Sequence, residues 1–195
     1  MHCWLSTSYY RCPWLCGAAL TVATFVAPGV VLATGIAVTS VSSRVVNEIH
    51  VVDATVSYAL SDDMKAALEN GIPLIFDVEI EVSEQRKYLW DPEVVRTVQR
   101  LRLQYHALSR TYVVTNDTTH TRQSLPALSE ALTYMGDLRG LAISETRHLN
   151  AGVQFRGRIR VILDVEALPP PLRPVAYLSP NWHLRSKWQD WILQP

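Results

Sequence analysis

The sequence predicts a mostly β domain, built as a two-layer antiparallel β-sandwich of about six to eight strands with two short helices. The strongest observation is the stretch Val153–Glu166, where apolar side chains alternate with Arg156, Arg158 and Arg160. A second alternating stretch covers Pro73–Ser83. A period of two over this length is typical of a strand with one buried face. The alternative fold is a single curved antiparallel sheet with helices on one face.

Composition indicates one globular domain behind an apolar leader. The chain has 195 residues, 48% of them hydrophobic, and its formal net charge is +0. A neutral chain has no bulk electrostatic attraction to nucleic acid, which is therefore not a predicted partner. The cysteines Cys3, Cys12 and Cys16 all precede the predicted domain, so a disulfide framework within it is not expected.

Residues 1–33 are predicted to be a signal peptide, cleaved after Ala33, or an N-terminal membrane anchor. Residues 14–27 are almost wholly apolar, and Pro28-Gly29 then breaks any helix, where a cleavage region should begin. Cleavage would give a periplasmic protein. In the alternative, residues 14–41 stay in place as an inner-membrane anchor, because they are long enough to span a bilayer. The N-terminal segment would then contact the membrane.

The single β-rich domain is predicted over residues 48–195, and the small, polar residues 34–47 are predicted to link it to the leader. His50–Leu60 alternates apolar and polar side chains and is the first predicted strand. Ser61 can cap a short helix whose first turn is acidic. Gly71 can end that helix, because glycine readily adopts a positive φ.

The outward faces of three predicted strands carry complementary charge. Pro73–Ser83 is acidic, whereas Val94–Leu108 and Val153–Glu166 are basic. The side chains concerned are Asp77, Glu79 and Glu81 on the first strand, and Arg100, Arg102, Arg156, Arg158 and Arg160 on the other two. Opposite charges facing each other stabilise a sheet by about 0.2–1 kcal/mol per pair. We therefore predict that the acidic strand pairs with at least one basic strand.

The middle of the chain predicts short elements. Arg110–Thr115 and His120–Gln123 read as two short strands around a turn. Ser124 is then expected to cap a second helix, Leu125–Met135, because proline is tolerated in a first helical turn. Residues 137–152 are predicted to be irregular, with a brief strand at Leu141–Ser144 as the alternative. The proline-rich stretch Leu168–Pro174 is expected to be extended.

The tryptophan-rich tail is the candidate interaction surface. Its residues are Trp182, Trp188 and Trp191, together with Tyr177. Tryptophan is enriched both in protein interfaces and at the membrane–water interface. The alternative is that these aromatic side chains close one end of the sandwich core.

The arginines Arg156, Arg158 and Arg160 are candidate contacts for an anionic ligand. Their spacing places all three on one face of a strand. The alternative is that they form ordinary ion pairs with neighbouring strands, which are common and individually weak.

The sequence displays no catalytic or metal-binding motif. Its histidines lack ligand spacing, and Ser109 and Ser124 lack the strand–turn–helix context of a nucleophile elbow. Asp77, Glu79 and Glu81 could form a carboxylate pair in a cleft, but a salt-bridged face explains them better. We therefore predict a protein that is not an enzyme and holds no cofactor.

Four motifs occur in order over residues 48–193. They are Ala67–Leu74, Tyr105–Tyr112, Ala167–Pro169 with Leu172-Arg173, and Trp182–Leu184 with Ser186, Trp188 and Trp191. Together they resemble the bacterial family called domain of unknown function 4390, whose members are often labelled proline-rich signal peptide proteins. Members often have a glycine in the turn near 116–119 and a tyrosine at the position of Gln189, and both are absent from this chain.

The resemblance implies an exported proteobacterial protein and transfers no catalytic residue. Genes of this family often lie beside those for a nitrogen-regulation-like sensor kinase and its response regulator, which suggests a link to envelope sensing by association only. We therefore predict a non-enzymatic protein-interaction module whose partner is a membrane or periplasmic protein. The first alternative is a binder of a small anionic or lipidic ligand, through the arginines or the tryptophans. The second is an envelope hydrolase, which would need a nucleophile–base pair that the sequence does not display.

Overall fold

The computed structural model describes residues 35–47, 49–85, 93–145 and 154–193, which all belong to the compact unit Leu32–Pro195. The smaller of its two antiparallel sheets has the order β1-β2-β7, with β1 (Gly35–Val46), β2 (Ile49–Ala59) and β7 (Asp137–Glu145). The larger has the order β6-β5-β4-β3-β8-β9, with β3 (Leu74–Glu84), β4 (Glu93–His106), β5 (Thr111–Asn116), β6 (Thr121–Leu125), β8 (Phe155–Leu163) and β9 (Gln189–Ile192). The helices are α1 (Asp62–Glu69), α2 (Leu128–Gly136) and α3 (Arg173–Leu178), and a 3₁₀ turn, Pro180–Trp182, follows α3.

The two sheets share one hydrophobic core, so the predicted mostly β, two-layer fold is confirmed. Tyr58 of β2 meets Phe76 of β3 edge to face, with ring centroids 5.2 Å apart. β1 packs on β8 and β9, β7 packs on β4, and α2 covers β5 and β6. The helix therefore completes the smaller layer, which explains how three strands cover a six-stranded sheet.

The strands with the clearest alternation form the core. Phe76, Val78 and Ile80 of β3 are all 0% exposed. The pattern of Val153–Glu166 is realised in β8, where every second residue is buried. In β2, alternate residues from Val52 onward are buried in the same way. Burial of such side chains contributes about 1.5–3 kcal/mol each, so these strands dominate the stability of the domain.

Helix α1 begins and ends where its sequence signals predict. The Ser61 side chain caps it by accepting a hydrogen bond from the Met64 amide at 3.3 Å. Gly71 follows with a φ of +81°, a conformation that costs glycine little. The cap and the glycine therefore set the two ends of this helix locally.

The linker predicted over residues 34–47 is wrong, because Gly35–Val46 is a strand paired with β2 along its length. The register shifts between Val38 and Ser40, so the apolar side chains of β1 do not keep a single period of two. The bulge therefore breaks the alternation of apolar and polar residues by which a strand is recognised in a sequence. The domain consequently begins before residue 48.

The predicted cleavage after Ala33 and the signal peptide over residues 1–33 lie outside the described residues. The alternative membrane anchor over residues 14–41 is wrong at its C-terminal end, because residues 35–41 belong to β1 and pair with β2. No helix within the described ranges is both long and apolar enough to cross a bilayer.

Two predictions around α2 are wrong. Ser124 pairs with Val113 inside β6, so it does not cap a helix, and α2 begins only at Leu128. The predicted irregular segment 137–152 begins instead with strand β7, which follows α2 without a loop; the brief strand expected at Leu141–Ser144 is confirmed, but it is longer than predicted. Its register against β2 shifts twice, which again breaks the alternation that would reveal a strand.

The proline-rich stretch Leu168–Pro174 is not extended but forms turns that lead into α3. Pro174 lies in the first turn of that helix, where the missing N–H group is not needed. The Arg173 guanidinium donates from Nε to the Leu168 carbonyl at 2.8 Å and so closes the turn.

Candidate functional site

The predicted pairing of the acidic strand with a basic strand is confirmed. Glu79 faces Arg160, and Glu81 faces Arg158, across β3 and β8. In each pair the arginine donates from Nε to the glutamate, with a distance of 2.6 Å for Arg158. Glu81 is only 5% exposed, so its charge depends on these partners.

Strand β4 supplies a second row of cations on the other side of β3. Arg100 donates to both oxygens of Asp77, at 2.9 and 3.2 Å, and reaches Asp164 at 3.2 Å. The hydrogen bond to Asp77 and its negative charge raise the pKa of Arg100. Arg102 instead pairs with Asp117, in the turn between β5 and β6, at 2.8 Å. The acidic strand thus lies between two basic strands.

The candidate anion contacts Arg156, Arg158 and Arg160 share one face of β8, but the contacts favour the cross-strand alternative. Arg158 and Arg160 are already bound by glutamates, so an added anion would have to displace carboxylates that belong to the fold. Arg156 lies beside Gln85, whose amide oxygen accepts at 2.7 Å when it is turned toward the guanidinium. The three arginines therefore make their contacts within the protein, which favours a structural role for them over ligand binding.

Trp188 lies over the same face. The centroid of its ring is 4.3 Å from the Cζ atom of Arg160 and 4.7 Å from that of Arg158. Such cation–π contacts contribute about 0.5–1 kcal/mol at exposed sites. The indole lies against both guanidinium groups; the Arg160 side chain is 19% exposed, whereas that of Arg158 remains 49% exposed.

A bulge in the tail places Trp188 there. The pairs on either side of the bulge are Arg185 with Ile162, and Gln189 with Ile159. Three tail residues therefore oppose two residues of β8. Ser186 fills the bulge, because its amide donates to the Val161 carbonyl and its hydroxyl accepts from the Val161 amide, both at 2.9 Å. The extra residue turns Trp188 onto the outer face of the sheet.

The predicted interaction surface of Trp182, Trp188, Trp191 and Tyr177 is not one surface. Trp182 is 4% exposed and Trp191 is 9% exposed, and both belong to the core. Trp188 is partly buried on the opposite face of the sheet from that core. The alternative, in which aromatic residues close the sandwich, therefore holds for Trp182 and Trp191.

Tyr177 belongs to a different surface, on α3. Three apolar side chains of this short helix are exposed, Val175 at 56%, Tyr177 at 53% and Leu178 at 85%. We call these three residues the α3 surface. Ala176, at 0% exposure, points into the core and fixes the helix. Only Tyr177 of this surface could be identified from the sequence, because the neighbouring prolines predict an extended segment.

Gln99, which was not among the predicted site residues, is a polar side chain that is only 6% exposed. It lies on β4 with the same parity as Leu101 and Leu103, which are both buried. The alternation of this strand could have revealed it as a polar residue on an inward face. A buried polar side chain among core residues is informative, because it needs a hydrogen-bonding partner.

The contacts and burial of Ser109 and His50 do not form a catalytic or metal-binding arrangement. The Ser109 hydroxyl lies 2.7 Å from that of Thr111, in the exposed turn between β4 and β5. His50 is buried in β2, which lowers the pKa of its imidazole. The part of the chain that the structure describes holds no group of three or more His, Cys, Asp or Glu residues placed for a metal ion.

The architecture and the charged face define an antiparallel, two-layer β-sandwich protein. The sequence profile of the family described as Domain of unknown function (DUF4390) matches residues 33–192, and the chain belongs to this family. The resemblance inferred from the four motifs is thereby confirmed. No curated protein and no solved structure matches the chain.

Proposed function

We propose that this protein is exported to the periplasm and acts there, without enzymatic activity, by binding another protein through the α3 surface. The observation that carries the proposal is the exposure of Val175, Tyr177 and Leu178 to solvent. A single exposed apolar side chain is common on protein surfaces, whereas three on the same six-residue helix can together form an interaction site. Burying these side chains against a partner would remove apolar area from water. This contributes a favourable free energy of about 25 cal/mol per Å², from which the costs of association are subtracted.

The α3 surface is held in a fixed position, which supports binding. Ala176 anchors the helix in the core, and Arg173 is tied to the Leu168 carbonyl. The Tyr177 hydroxyl donates to Glu166 at 3.4 Å, which restrains the aromatic ring. A preorganised surface loses little conformational entropy on association. Tyrosine is also among the residues enriched at the energetic centres of interfaces.

A membrane or periplasmic protein is the proposed partner, and the sensor kinase associated with the family is the first candidate. Export is supported by the apolar residues 14–27 and the break at Pro28-Gly29. N-terminal sequencing of the purified protein tests this part of the proposal. A mature chain starting at residue 34 supports cleavage, whereas one starting at Met1 contradicts it.

A photo-crosslinking amino acid at position 178 tests the α3 surface in living cells. Leu108 is the matched control, because it is a fully exposed leucine at 105%, in the turn between β4 and β5. We expect a specific adduct from position 178 that is absent from position 108. The same adduct should weaken several-fold when Val175→Ser is added to the chain. No adduct at position 178, or the same adducts from both positions, would contradict the proposal.

A further inference from the structure

We propose that a cleft between the two layers binds a small, uncharged amphipathic molecule. This inter-sheet cleft has a volume of about 330 Å³ and opens where β7 and the end of α2 face β4, β5 and the turn after β5. The cleft lies neither at the arginines nor at the tryptophans, where the sequence predicted a possible small-ligand site. None of the residues of the α3 surface lines the cleft.

The inner wall of the cleft is apolar. It is formed by core side chains from both layers, namely Leu101, Val114, Met135, Leu138 and Leu141. Each of them is at most 6% exposed, so they are held in place by the surrounding core. A preformed apolar wall with a few polar groups is the usual design of a small-molecule site. The body of the ligand is therefore aliphatic or aromatic.

Gln99 supplies the polar group of this wall. Its Oε1 atom accepts a hydrogen bond from the Asn116 amide at 3.3 Å, which orients the Gln99 side chain. Asn116 is itself fixed, because its oxygen accepts from the amides of Thr118 and Thr119. The Gln99 Nε2 group donates to none of the described residues. This donor is open to the cleft, where a ligand that offers an acceptor oxygen can take the place of water as its partner.

The rim of the cleft favours an uncharged head group. Arg139 and Asp137 lie there and neutralise each other, with Nε of Arg139 donating to the two carboxylate oxygens at 2.8 and 3.0 Å. An ionised head would lose its hydration without gaining an unpaired counter-charge, whereas a hydroxyl or amide loses much less. The Thr119 and Thr121 hydroxyls lie 2.9 Å apart and complete a polar, neutral rim.

The volume limits the size of the ligand. The cleft is near the lower end of the ~300–1,000 Å³ that is usual for small-molecule sites. At ~30 Å³ for each non-hydrogen atom, the volume of a liquid water molecule, it holds about ten such atoms. Medium-chain alcohols and amides therefore fit in size, in polarity and in hydrogen bonding.

Titration of the ¹⁵N-labelled full chain with 1-octanol, followed by NMR and without detergent, tests the proposal. We expect saturable shifts of backbone amides around Val114 and between Leu138 and Leu141. Octanoate has nearly the same size and should bind more weakly, because its head is charged. Shifts that do not saturate, or that map outside the cleft, would overturn the proposal. Tighter binding of octanoate would overturn the uncharged head group.

Two matched variants test the role of Gln99. Gln99→Met removes the donor but keeps the length of the side chain, and should weaken 1-octanol binding by about three- to tenfold. Gln104→Met makes the same change on β4 with the opposite parity, outside the cleft, and should leave binding unchanged. Thermal melting confirms that each variant is folded. Equal affinities in the two variants would contradict the role of Gln99, and the shifts of the unmodified chain test the site even if Gln99→Met does not fold.

Discussion

Gly157 directly opposes Trp191 across β8 and β9. A Cβ atom at position 157 would lie 2.3 Å from Cζ2 and 2.4 Å from Cε2 of the indole, which is far closer than atoms can approach. Glycine usually weakens a strand, because it loses more backbone entropy on folding than other residues do and has no side chain to pack. Here the missing side chain provides the space for an aromatic ring, and this pair attaches the C-terminal strand to the core.

Gly157→Ala is expected to destabilise the protein by about 1–3 kcal/mol, the usual cost of overpacking a core. Chemical denaturation in urea measures the change in the free energy of unfolding. Gly35→Ala is the control, because a Cβ atom there meets nothing within 4 Å, and it should have little effect. Adding Trp191→Leu to Gly157→Ala should cost less than the two single changes together. Equal stability of both alanine variants would contradict the packing described for Trp191.

At the scale of elements, β3 is the strand on which the larger sheet depends. It is the inner strand between two basic neighbours, with its apolar face in the core and its acidic face outside. Arg96 on β4 extends the charge network, since it lies 3.5 Å from Glu79 and 3.6 Å from Glu81. Each glutamate thus contacts arginines on both sides. The charge pattern therefore helps to set which strands are neighbours and in which register.

Reversing the charge of Glu79 to lysine should destabilise the protein by about 1–3 kcal/mol, because its arginine partners would lose their acceptor and face a cation. The melting temperature should fall, and adding Arg160→Glu should restore part of the loss. Glu130→Lys is the control, an exposed charge reversal in the first turn of α2, with an expected cost of at most about 1 kcal/mol. A Glu79→Lys variant no less stable than the control would contradict the importance of the network.

At the scale of the whole molecule, the two layers depend on a strand that comes before the predicted domain. β1 buries Ile36, pairs with β2 and packs on β8 and β9 in the other layer. Without it the inner faces of those two strands would meet water. The N-terminal strand is therefore part of the sandwich and not a tether to it.

A chain that begins at residue 48 should fail to fold, because it lacks β1, whereas a chain that begins at residue 34 keeps the strand. Circular dichroism and thermal melting compare the two chains. We expect a cooperative unfolding transition only for the chain that begins at residue 34. A cooperative transition of similar midpoint in both would show that β1 contributes little to the core.

The strands that could be predicted from the sequence differ from those that could not in one physical respect. The pairing of β3 with β8 is regular from Phe76 to Glu84, so the alternation of both strands is visible along the chain. β1 and β7 contain register shifts, and their apolar side chains change parity partway. A bulge depends on the partner strand, which a local pattern does not include.

The residues of the candidate site likewise include some whose placement could be predicted from the sequence and some whose placement could not. Complementary charges on Asp77, Glu79 and Glu81 were enough to predict a paired face, because the alternation put them on one side of a strand. The same reasoning could not separate Trp182 and Trp191 in the core from Leu178 in water. Apolar side chains in a segment without a period fit either place, and their burial depends on which distant strands cover them.

The alternating core strands, the charge complementarity of the sheet face, the ends of α1 and the family of the chain could all be predicted from the sequence. These features follow from side-chain periodicity, capping and charge, which act over a few neighbouring residues or recur as motifs. Three features emerge only in the folded structure: β1 belongs to the core, Trp191 occupies the space above Gly157, and Gln99 lines a cleft. Each of these depends on contacts between residues far apart in the chain, whose meeting is set by how two layers stack.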